Sequence, residues 1–70
     1  MQAAAAYIKS ELAAGRFPEI IVRETCGEFW LADRDYMPLA GKSYVSRYRA
    51  LDDISRMRDR ASKAFWKAAA

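Results

Sequence analysis

From residue 36 onward the chain reads YMPLAGKSYVSRYRALDDISRMRDRA, a short apolar segment that turns into a long helical pattern studded with arginine, and this transition dictates how the rest must be arranged. Ala50, Leu51, Ile54, Met57, Ala61, Ala64 and Phe65 recur at helical spacing on one side, while Arg49, Arg56, Arg60, Lys63 and Lys67 occupy the other. Ser46 suits the position before a helix that starts at Arg47, because a serine hydroxyl accepts a hydrogen bond from an early helical N–H. A competing reading carries a strand through KSYVSRYR and begins the helix at Asp52 or Asp53. Either way, a long helix with one apolar stripe must lay that stripe on something, and the preceding residues must supply it.

The chain has 70 residues. A domain of that size buries only about 60% of the surface its unfolded chain exposes, so reinforcement by a second copy is an expectation from size alone. Cys26 is the only cysteine and there is no histidine. An intrachain disulfide is thereby excluded and a zinc site nearly so, which fits a reducing compartment. No stretch approaches the roughly 20 apolar residues of a membrane span. The opening MQAAAAYIKSELAAG lacks the basic start and long apolar centre of a secretory leader, since Lys9 and Glu11 interrupt it. The expectation is a cytoplasmic protein with no membrane partner.

Ahead of the long helix the pattern changes twice. Ala5, Ile8 and Leu12 form a narrow apolar stripe on an alanine-rich helix, and Gly15 stands where a helix end wants a left-handed residue. Pro18 holds Phe17 extended. EIIVRET (19–25) and EFWLAD (28–33) then read as two strands joined by the turn pair Cys26-Gly27. Side chains alternate along a strand, so Phe29 and Leu31 share one face and Trp30 and Ala32 the other; Ile20 with Val22 likewise opposes Ile21 with Arg23. Both faces are partly apolar and both call for cover, from two helices or from a second copy of the chain. After a polar turn at DRDY, the proline-bearing MPLAGKS (37–43) reads as a short third strand at an edge. The expected fold is α+β, a single domain over 1–70: an N-terminal helix, a three-stranded antiparallel sheet and a long C-terminal amphipathic helix, in the order α-β-β-β-α.

The run YVSRYRALDDISRMRDRA resembles the signature of the small domain-of-unknown-function family typified by YegP-like bacterial proteins. There a strand ends in an apolar stretch with alanine and leads to Tyr-x-Ser-Lys/Arg, then to a helix with spaced aliphatics and a late alanine. The matching residues here are Leu39, Ala40, Tyr44, Ser46, Arg47, Ile54, Met57, Arg58 and Ala61, with GEFWLAD in place of the family's glycine-led aromatic strand. The resemblance covers about residues 20 to 61. The family's Asn-Gly turn is RDYM here, one residue is missing between Ala40 and Tyr44, Asp53 replaces a glycine, and the N-terminal helix is additional. The resemblance implies a β-β-β-α unit that pairs with a second such unit, in tandem or as a homodimer, and carries no established chemistry.

Catalytic machinery is hard to assemble from these residues. Acid–base work needs carboxylates or histidine converging in a desolvated pocket. Asp33 and Asp35 fall in a turn, and Asp52 and Asp53 suit the first turns of a helix, where they complement its dipole. Gly15, Gly27 and Gly41 are scattered, so no glycine-rich phosphate loop exists, and Cys26 has no histidine to activate it. A non-enzymatic protein without cofactor, metal or catalytic residues is expected.

What remains is surface. Residues 1–41 hold four basic and six acidic side chains, whereas 42–70 hold eight basic and three acidic. A basic helix face with Tyr44, Tyr48 and Trp66 nearby suits phosphates and bases. The plainer reading is a solvated face, because Asp52–Arg56, Arg49–Asp53 and Asp59–Lys63 are each spaced to pair along a helix. The large aromatic content, with Trp30 and Trp66 foremost, suits a protein interface. Trp66 lies off the apolar stripe and is therefore exposed, covered by another part of the chain, or buried in a partner. The partner-binding candidates are Trp30, Tyr44, Tyr48, Arg49, Arg56, Arg60, Lys63 and Trp66. The leading expectation is a small protein-interaction module of the kind that phage and mobile elements use as accessory proteins against host systems, anti-CRISPR proteins among them. The alternative is a nucleic-acid-binding module that uses the basic helix or the sheet.

Overall fold

A computed structural model describes residues 3–69. It contains α1 (Ala4–Ala13), β1 (Ile21–Thr25), β2 (Glu28–Ala32) and α2 (Arg47–Ala69), an α+β arrangement in which a hairpin and one short helix lie against one long helix.

Local signals account for the element boundaries. Gly15 adopts φ +74° and closes α1: its N–H donates to the Leu12 carbonyl and that of Arg16 to the Glu11 carbonyl, the paired bonds of a left-handed helix end. In the hairpin, Cys26 and Gly27 both have positive φ, 52° and 77°, the requirement of the two-residue turn whose twist matches that of the strands. Ser46 caps α2, its Oγ accepting from the Arg49 N–H at 3.2 Å, so the start at Arg47 prevails over the later one. Asp52 and Asp53 consequently lie beyond the first turn.

The expected third strand does not form; the described sheet has two strands, paired Ile21 to Ala32 through Thr25 to Glu28. Residues 38–44 do run beside β2 and touch it at two points, Ala32 with Pro38 and Phe29 with Tyr44. Between those points β2 advances three residues and the neighbouring segment six, so the latter must bow away from the ladder. Pro38 has no N–H to give, and Gly41 sits within the bow at φ +155°. Only the Leu39 N–H, donating to the Leu31 carbonyl, bridges the gap.

One buried cluster serves the whole molecule: Ala4, Tyr7 and Ile8 from α1, Ile20, Val22, Leu31 and Leu39 from the hairpin and its flanks, and Ala50, Ile54 and Ala61 from α2, with Phe29, Leu12 and Met57 at its margin. The two helices run in the same direction, since Ala5 lies near Met57 while Leu12 lies near Phe65. α2 lies on the hairpin and α1 packs chiefly on α2, both joining the cluster that holds Val22 and Leu31; of the two expected sources of cover for the other face, helices or a second copy, the helices do not supply it among the described residues. The stripe on α1 is also shifted. Ala4, Tyr7, Ile8 and Glu11 are buried and Ala5 is exposed. On α2, Leu51 and Ala64 are exposed rather than part of the core.

Candidate functional site

The eight candidate residues fall on two opposite sides of the molecule. Trp30 points away from the core, beside Arg23 on the uncovered hairpin face, whereas the others belong to α2 and its approach. Because α2 turns its Ile54 side toward the sheet, its solvent face and the uncovered hairpin face cannot meet in one site.

Tyr44 is occupied structurally. It exchanges both backbone hydrogen bonds with Phe29, and its hydroxyl donates to Asp53 Oδ2. Desolvation, with the Asp53 carboxylate second, pushes the phenol up to about 12. Asp53 is thus taken by Tyr44 and not by Arg49.

The basic stripe is broken by its own counter-charges. Arg56 pairs with Asp52 at 3.2 Å and Lys63 with Asp59 at 3.1 Å, all four largely exposed, so each pair contributes only about 0.3–0.5 kcal/mol. Arg49 and Arg60 make no ion pair among the described residues. Two further arginines of α2 reach to the hairpin and its lead-in. Arg47 Nη1 donates to the Val22 carbonyl at 3.3 Å with its guanidinium 5.6 Å from the Phe29 ring centre. Arg58 Nε donates to the Pro18 carbonyl at 3.0 Å and stacks 4.8 Å from the Phe17 ring centre. Part of the C-terminal basicity therefore docks the helix to the hairpin and its lead-in.

Tyr48 and Trp66 are open to solvent, 79% and 68% exposed. Eighteen residues separate them, five full helical turns, so they stand on one line of α2 about 27 Å apart. Each heads an apolar group. Tyr48 has Leu51 one turn on and Val45 just before the helix, at 51% and 81% exposure, and Trp66 meets Phe65 edge to face with ring centres 5.4 Å apart. The sequence pattern places Leu51 on the buried stripe and gives Val45 no role. Nothing in the sequence separates Leu51 from Met57, which stands as far round the helix from Ile54 on the other side, about 60°, and packs on the core; Val45, ahead of the helix, carries no signal either.

A charged cluster that no local pattern announces lies at the far end of α1. Glu11, 6% exposed, receives Arg16 Nε on one carboxylate oxygen and Arg34 Nη2 on the other, both at 2.7 Å, and Arg34 Nη2 also donates to the Phe17 carbonyl at 3.0 Å. The Arg16 hydrogen bond, opposed by desolvation, holds the Glu11 carboxyl below its ordinary 4.5. The buried Tyr7 hydroxyl adjoins this cluster without a hydrogen bond of good geometry.

Among the described residues no cluster of three or more carboxylate or thiol side chains is placed to hold a metal, and no helix is long and apolar enough to cross a membrane. No protein-family model, curated protein or solved structure matches this chain.

Proposed function

We propose that this chain is a non-enzymatic protein-interaction module, an accessory protein of the inhibitory type its size and composition suggest, and that the solvent face of α2 is its contact surface. The observation that carries this reading is the pair of apolar groups at Tyr48 and Trp66, aligned along one continuous helix and flanked by charge. Exposed Trp and Tyr on a rigid element are the residue types that dominate binding energy at protein interfaces, and charges at their margin tune encounter more than affinity. The partner is a protein with two apolar recesses spaced to receive one side of a helix.

Capture from nuclease-treated lysate of the natural host provides the test. Trp66→Ala and Tyr48→Ala should each weaken capture by about 2 kcal/mol, roughly 30-fold, with little dependence on salt. Reversal of Arg56 and Arg60 to Glu should leave it largely intact. The alternative, nucleic-acid binding, draws on Arg49 and Arg60, the two candidate cations of α2 that make no ion pair among the described residues. It requires the opposite pattern: loss on charge reversal, indifference to Trp66→Ala, and a log–log salt slope on duplex DNA of about −3 to −4 once Arg56 and Lys63 leave their partners and join Arg49 and Arg60 on phosphates.

A further inference from the structure

We propose that the uncovered face of the hairpin is where a second copy of this chain binds, across a two-fold axis. The side chains of Ile21, Arg23 and Thr25 from β1 and of Glu28, Trp30 and Ala32 from β2 share that face; Ala32 is buried at its end, beside Pro38, and the Arg23 guanidinium lies 5.8 Å from the Tyr36 ring centre. Its centre is apolar and shaped. Trp30 is 39% exposed, and it borders a cleft of about 330 Å³ walled by Ala32, Tyr36, Pro38 and Leu39.

The charges on this face decide the occupant. Arg23 is paired in the ladder with Trp30, and Glu28 with Thr25, so Arg23 and Glu28 are diagonal neighbours of opposite sign on one face. They form no ion pair with each other, and neither forms one elsewhere among the described residues. The face therefore carries one cation and one anion, each without a counter-ion, around an apolar centre. A two-fold axis lying in the interface, through the midpoint of Arg23 and Glu28 and perpendicular to the line joining them, brings Arg23 of each copy over Glu28 of the other. Both pairs form at once, as an isologous interface requires. Trp30 lies next to that axis, so the two indoles meet at the centre. A surface complementary to itself in charge and apolar in the middle has its simplest partner in its own copy.

The interior points the same way. Among the described residues Ile8 and Ile54 are the largest side chains that are fully buried, and no residue of either helix lines the cleft on the Trp30 side of the hairpin. A small domain with so little interior gains from covering its open face. This surface lies opposite the solvent face of α2, so the dimer stands or falls independently of the proposed partner site.

Sedimentation equilibrium on the purified full chain, from about 1 to 200 µM, tests the arrangement. The expected mass rises from the 8.0 kDa protomer toward twice that value. Trp30→Ala should raise the dissociation constant at least about 30-fold. Arg23→Glu and Glu28→Arg, both at exposed positions, should each weaken association with an unchanged circular dichroism spectrum, and the double exchange should restore it. A monomer throughout the range overturns the proposal. So does a dimer indifferent to Trp30→Ala, or a double exchange no better than the single ones.

Discussion

Glu11 shows how one residue can tie together segments far apart in the chain. Its carboxylate joins the last turn of α1 to Arg34 in the turn after β2, and Arg34 in turn holds the Phe17 carbonyl. Because the folded carboxyl is held below its ordinary value, the stability it contributes is fully present above about pH 4.5 and is lost as pH falls through the lower folded value. The melting temperature of the wild type should therefore drop on acidification below that range. Glu11→Gln, which keeps the shape but loses the charge, should melt lower at pH 7 and show a flatter acid limb; parallel acid limbs in thermal scans would assign the dependence to other carboxylates. Nothing in the sequence marks Glu11 as special, since its partner Arg34 is 23 positions away and a glutamate on an alanine-rich helix reads as solvated. By contrast Ile54 was legible, because helical spacing alone places it on the buried side.

At the level of elements, what could be read was what local chemistry determines. The hairpin turn, the glycine that ends α1 and the serine that starts α2 each announce themselves within a few residues, and each stands where the pattern put it. The segment after β2 was misread because its composition suits a strand, whereas its length against β2 depends on where the next element must begin. Tyr44 is pinned by Phe29 and Asp53, and the chain between Pro38 and Tyr44 has more residues than the ladder can accept. The hairpin turn also holds a correctable cost. Cys26 sits at φ 52°, a conformation in which most side chains are strained and asparagine much less so. Cys26→Asn should raise stability by about 0.5–1 kcal/mol in urea denaturation, with an unchanged slope. A neutral or negative result would show that the cysteine makes a compensating contact.

For the molecule as a whole, the basic side chains of the C-terminal part serve several uses: pairing along α2, docking to the hairpin, the stacking of Lys42 on Tyr44, and exposure at Arg49 and Arg60. The second use has a kinetic side. Among the described residues no strand pairs with the outer edge of β1, and the Val22 carbonyl on that edge accepts a hydrogen bond from Arg47, a residue of the first helical turn. An end turn frays far more readily than the core unfolds. Each such opening leaves a bare strand edge rich in isoleucine and valine, a template on which other chains can add. Arg47→Ala should therefore shorten the lag before thioflavin-positive fibrils appear at warm, near-native conditions by more than its loss of stability explains; a lag that follows stability alone would absolve the edge. The outcome decides whether a single guanidinium, that of Arg47, keeps the open edge of β1 from templating cross-β growth.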